Sequence, residues 1–125
     1  MKQFSNISEL PDKLAIFPLT GAVLFPQTQL PLNIFEPRYI QMIDEVLSSP
    51  NRMMGMIQPS LSKNDLDSKN LKKVGCAGRI SSFSETGDGR HLVTLTGLIR
   101  FEVNQELDTT TPYRQVLANY ENFKE

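Results

Sequence analysis

Phe17-Pro18-Leu19-Thr20-Gly21-Ala22-Val23-Leu24-Phe25-Pro26-Gln27-Thr28-Gln29-Leu30-Pro31-Leu32-Asn33-Ile34-Phe35-Glu36-Pro37-Arg38-Tyr39 is the stretch that decides the fold. Pro18, Pro26 and Pro31 punctuate short apolar runs, and Pro37 opens a segment with a different period. Proline fixes its own φ and donates no backbone hydrogen bond, so these runs read as short, edge-like or bulged strands. Leu30, Leu32 and Ile34 alternate with Pro31 and Asn33, the period of a half-buried strand beginning near Pro31. Past Pro37, residues Tyr39, Met42, Ile43, Val46 and Leu47 recur at helical spacing and form one apolar stripe. Pro37 suits a first helical turn, and Pro50 stops the helix after Ser48-Ser49.

Upstream, residues 14–19 read as a strand with Leu14 and Ile16 on one face and Ala15 and Phe17 on the other. Thr20-Gly21 is a turn signal, and residues 23–25 suggest a very short strand after it. Downstream, Met53-Met54-Gly55-Met56-Ile57 is an apolar run of strand length. Residues 60–70 are polar and aperiodic, longer than an ordinary loop and so either mobile or functional. Val74, Cys76 and Ile80 then share a strand face, and Thr86-Gly87-Asp88-Gly89-Arg90 supplies a hairpin reversal. His91, Val93, Leu95, Gly97, Ile99, Phe101 and Val103 keep one parity across Gly97, which predicts a single long strand bent at the glycine. A last strand is expected over residues 114–120. Six or seven strands and one helix amount to an α+β, β-rich fold, and closure into a barrel would remove the exposed edges of such short strands.

The 125 residues bound one domain, with residues 1–13 as an N-terminal extension and 14–125 as the barrel. A net charge of −1 argues against a nucleic-acid binder, whose footprint is a basic surplus. Cys76 is the single cysteine, so an intrachain disulfide is ruled out. The N-terminus carries no secretory apolar core and no run approaches the ~20 residues of a membrane span, so a cytoplasmic protein off the membrane is expected. The match of Asn6-Ile7-Ser8 to a glycosylation site is then fortuitous.

Chemistry is hard to find. His91 and Cys76 supply too few ligands for a metal site. His91 reads as a strand-end residue at the barrel rim. Cys76, in Val74-Gly75-Cys76-Ala77-Gly78, lacks the cationic neighbour that activates a thiol and reads as a small core residue. The phosphate loop and the Gly-x-Ser-x-Gly elbow are both missing. Asp65-x-Asp67 begins like a calcium loop, but Asn70 and Cys76 stand where the pattern needs glycine and a bidentate acid. Neither cofactor nor metal is expected. Glu36 and Arg38 bracket Pro37 and read as an ion-paired, capped junction. Phe25, Met54 and Met56 are the candidate polypeptide contacts, with core filling as the competing role of the methionines.

The Ile34-Phe35-Glu36-Pro37-Arg38-Tyr39 junction resembles the signature of the Lon N-terminal (substrate-binding) domain family, which includes the leading segment of Lon protease and many stand-alone bacterial proteins. Phe17-Pro18-Leu19, Leu24-Phe25-Pro26, Leu30-Pro31-Leu32, Val74 to Gly78, Gly89-Arg90 through Gly97, and Arg100-Phe101-Glu102-Val103 follow in the family's order. The resemblance implies a PUA-like pseudobarrel and a non-catalytic polypeptide-recognition or adaptor role. The alternative is a PUA-like barrel for a small ligand or RNA, with an enzyme a distant third. Two departures stand out: Gln27 where many members have glycine, and no helical subdomain after the last strand. The ATPase and Ser-Lys protease domains of full Lon are also missing, so neither activity is carried over. A side of the barrel left without that subdomain implies a homodimer, through an apolar surface or unpaired strand edge near residues 113–123.

Overall fold

The computed structural model describes residues 10–60 and 70–124. Six strands and one α-helix follow in the order β1 (Lys13–Pro18), β2 (Gln29–Ile34), α1 (Pro37–Ser48), β3 (Met53–Ile57), β4 (Val74–Glu85), β5 (His91–Glu106) and β6 (Gln115–Asn119), and a 3-10 turn spans Glu121–Phe123. Hydrogen-bonded neighbours run β2-β5-β4-β3-β1-β6, and β6 pairs again with β5. That second pairing closes β5, β4, β3, β1 and β6 into a barrel and leaves β2 outside it. β1 and β3 are parallel, whereas the other pairs are antiparallel. A parallel pair needs a long crossover, which β2 and α1 provide.

β5 is long enough to serve both parts of the molecule. Its first half lies between β2 and β4, and its second half between β4 and β6. One continuous strand runs through Gly97, as the shared parity predicts, but the register slips beside the glycine and the face does not run straight through it. Ile99 pairs with Ala77 and Gly97 with Gly78, so Leu98 is an extra residue. A single inserted residue turns every later side chain to the other face. Val93 and Leu95 therefore enter one apolar core, while Ile99 and Phe101, of the same sequence parity, enter another. A matching slip at Ser81 on β4 puts Phe83 beside the first core.

The barrel core contains Leu14, Ile16, Met53, Ile57, Ala77, Ile99, Phe101 and Val116. Phe101 is its hub: a Cβ added at Gly55 or Gly75 would lie 2.8 or 2.9 Å from the Phe101 ring. The outer core lies on the other face of β1, β3 and β4, under α1 and the β2 arm. Phe17 meets the Tyr39 ring at 4.3 Å, and Met42, Ile43 and Val46 fill the remainder of the helix contact. Leu14 and Ile16 thus face one core and Ala15 and Phe17 the other, as their alternation implies.

Four expectations need correction. Residues 23–25 form no strand, because Phe25 N–H turns to Thr28 Oγ1 instead of a ladder partner. Val74 shares the face of Cys76 but lies beyond the covering elements and is exposed. Glu36 occupies the N-cap position without capping; its carboxylate pairs with Arg38 at 3.2 Å instead. The edge foreseen at the last strand is occupied, since β6 pairs on both sides. Among the described pairings, the open edges are the outer side of β2 and the far half of β4. Most of the polar 60–70 segment and most of the 1–13 extension fall outside the described residues.

Candidate functional site

The loop between β1 and β2 is held rigidly against β5. Gln27 N–H donates to Gly97 O at 2.8 Å, and Gly97 N–H donates to Thr28 O at 2.8 Å. Thr28 Oγ1 also donates to Phe25 O at 2.8 Å, and Thr28 N–H reaches the same carbonyl at 3.1 Å. The approach is so close that a Cβ at Gly97 would sit 2.1 Å from Phe25 O. Gln27 closes the turn in the left-handed region, at φ 67°. That conformation explains a glycine preference at this position and strains any residue with a Cβ.

The result is a fixed step with Leu24 buried and Phe25 turned out. Phe25 is 51% exposed, Val23 46% and Val74, across a shallow depression, 42%. The depression, of about 150 Å³, is lined by residues 22–25 and by Met56, Ile57, Gln58, Val74, Gly75, Cys76 and Arg100. Arg100 stands directly opposite Cys76 in the β4–β5 register. Burial pushes the Cys76 thiol up to about 11, and the nearby Arg100 charge offsets only part of that. The thiol is therefore protonated near neutrality and forms an apolar floor.

Of the sequence candidates, Phe25 is at the surface and Met56 contributes to the floor, though its side chain is buried. Met54 is fully buried in the outer core, so neither methionine is an exposed anchor: on a strand covered on both faces, every side chain is enclosed. Glu36 and Arg38 are exposed at the helix start, where Arg38 also stacks over Tyr39 at 4.9 Å, and they do not line this depression. Sequence reasoning missed Val23, Val74, Gln58 and Arg100. The signal was available only in part: Val74 follows Lys72-Lys73 at the open end of a strand.

His91 is not at a rim. It is buried, with Nε2 2.9 Å from Asp44 Oδ1 and its ring edge-on to Phe83 at 4.9 Å. Because a carboxylate accepts, Nε2 donates, and among the described residues Nδ1 is the buried atom without a partner. The next helix residue, Glu45, accepts a hydrogen bond from Tyr113 OH. Together Asp44 and Glu45 fasten α1 to both ends of the β5–β6 region. A second cavity of about 210 Å³ lies beside that attachment, lined in part by Glu45, Tyr113 and Gln115. Among the described residues no three His, Cys, Asp or Glu side chains converge as metal ligands, and no helix is long and apolar enough to cross a membrane.

The family model of the ATP-dependent protease La (LON) substrate-binding domain matches residues 13–125. Lon protease 2 of Sorangium cellulosum is 32% identical over 93 residues, 74% of this chain and 12% of that protein. The Lon protease of Parabacteroides distasonis is 33% identical over 108 residues, 86% of this chain and 13% of that protein. The chain thus spans only a small fraction of these relatives. The crystal structure of a Lon N-terminal domain protein from Xanthomonas campestris is similar with a TM-score of 0.66 and 23% identity, over 90% of this chain and 60% of that one. The N-terminal domain of Mycobacterium avium complex Lon protease gives 0.67 at 12% identity, over 86% and 54%.

Proposed function

This chain belongs to the LON substrate-binding domain family, and from that premise we propose that it is a non-catalytic module that recognises flexible or unfolded polypeptide. The observation that carries the reading is the rigid, outward Phe25 beside Val23 and Val74. Aromatic anchors fixed before binding lose little entropy on contact, and such residues dominate many interfaces. An apolar side chain of the partner packs into the depression between Phe25 and Val74, and its backbone stays extended over Gln58.

Titration with a reduced, unfolded polypeptide, followed by backbone NMR, tests this. Shifts are expected at residues 22–26, 74–76 and 100. Clear shifts with single-stranded RNA and none with polypeptide would overturn it in favour of the RNA-binding alternative. The same reading gives the isolated chain no ATPase or peptidase activity; ATP-stimulated cleavage of an unfolded protein, lost on mutating one of its own residues, would contradict it. Two-fold pairing of this chain through the open β2 edge, beside exposed Phe35 and Leu92, belongs to the same proposal. Sedimentation showing a dimer at micromolar concentration supports it, and a clean monomer refutes it.

A further inference from the structure

Arg100 differs from Arg38, Arg90 and Arg114 in its surroundings. Those three are each paired with a carboxylate, on Glu36, Asp88 and Glu106. Among the described residues Arg100 has no ion-pair partner, although Glu102 lies two positions along the same strand. The Glu102 carboxylate instead accepts from Asn122 Nδ2 at 2.6 Å. Arg100 projects from the exposed face of β5 at the wall of the depression, beside Cys76 and across from Phe25, and it is the one charged residue in that lining. The Gln58 side chain adds a neutral amide to the same wall.

A guanidinium next to an apolar socket is complementary to a particular kind of chain. It presents a fork of donors that matches a carboxylate, and its rigid plane loses little freedom on pairing. The partial shelter of the depression strengthens the pair over one in open solvent. On the reading that this site binds polypeptide, we infer that its preferred segment is internal and carries an apolar residue flanked by an aspartate or glutamate: the apolar group seats against Phe25 and Val74 while Arg100 takes the carboxylate. The recognition is two-point, and each point is weak alone.

The test uses the full chain and three soluble peptides of identical length with blocked ends. They differ only beside one central leucine, which is flanked by aspartate, asparagine or lysine. The aspartate peptide is expected to bind about threefold to tenfold tighter than the asparagine peptide, with the lysine peptide weakest. The gap should narrow at high salt, and it should vanish in Arg100→Gln while Arg100→Lys retains part of it. Arg100 is exposed, so these variants fold, which their unchanged NMR spectra away from β5 would verify. Equal affinity for the three peptides, or a gap that persists in Arg100→Gln, overturns this inference and leaves polypeptide binding intact. A preference seen only when the peptide C-terminus is unblocked overturns it in favour of terminal carboxylate capture. Binding by none of the peptides, nor by an unfolded protein, removes both this inference and the functional reading beneath it.

Discussion

The barrel core and the outer core are built from opposite faces of the same strands, yet they are held in different ways. Around Phe101 the walls are hydrogen-bonded in a closed ring, and the glycines at 55 and 75 let the aromatic side chain fill the space without a gap. The outer core has a helix for a lid. Among the described residues that helix is held to the sheet by side chains: its apolar stripe, the Asp44–His91 bond and the Glu45–Tyr113 bond. A closed ring opens only by breaking several backbone bonds together, whereas a docked helix can detach alone. The lesson is a division of labour: stability resides where the ring closes, and the exposed Phe25 stands on a loop clasped to the ring from outside.

The sharpest way to break this comparison is to empty each core in turn. Phe101→Ala should cost about 3–5 kcal/mol in urea unfolding and lower amide protection throughout the barrel. Met42→Ala should cost less, about 2–3 kcal/mol, with the loss of protection concentrated in α1 and β2. Equal and uniform losses would show one cooperative core instead of two. Next in size is Gly97→Ala, where the added methyl meets the Phe25 carbonyl at 2.1 Å. Overpacking of that kind should cost about 1–3 kcal/mol and displace the Phe25 step, so polypeptide affinity falls with it.

Smaller still is Tyr113→Phe, which removes one attachment of the helix and should cost about 1 kcal/mol at neutral pH. The Tyr113 bond is the main cause holding the Glu45 carboxyl below its usual range, with Gln41 second. A folded value below the unfolded one contributes stability above the unfolded pKa, and that stability is lost as pH falls through the folded pKa. The cost of the mutation should therefore shrink under acid, and the Glu45 titration followed by carbon NMR should move up in the variant. Tyr113 itself, pushed up to about 12 chiefly by burial, stays protonated throughout this range. The least effect on stability belongs to Phe25→Ser, under ~0.5 kcal/mol, while binding of unfolded polypeptide is lost. Gln27→Gly should even stabilise by about 0.5 kcal/mol, because it releases a left-handed residue with a Cβ.

Much of the architecture was legible because local signals agreed. Pro37, the Tyr39 to Val46 stripe and Pro50 bound the helix as found, and the alternation in residues 14–17 gave both strand faces. The bulge at Leu98 was not legible, since an extra residue leaves sequence parity unchanged and appears only in the register with β4. The site was read least well. Phe25 could be named from its place between Leu24 and Pro26, but the exposure of Val74 depends on which neighbours end before reaching it. The methionines stood between contact and core filling because apolarity alone does not distinguish a binding strand from one enclosed on both sides, and both side chains are buried.

The clasp between residues 25–28 and Gly97 also has a mechanical consequence. If the proposed function holds, a polypeptide bound at Phe25 and placed under tension would transmit that pull through the Gln27 and Thr28 backbone bonds into the middle of β5, the strand bonded on both flanks. The force is shared at once around the hoop, and the helix lies off its path. The grip can thus be tugged without prying open the part of the molecule that is easiest to detach.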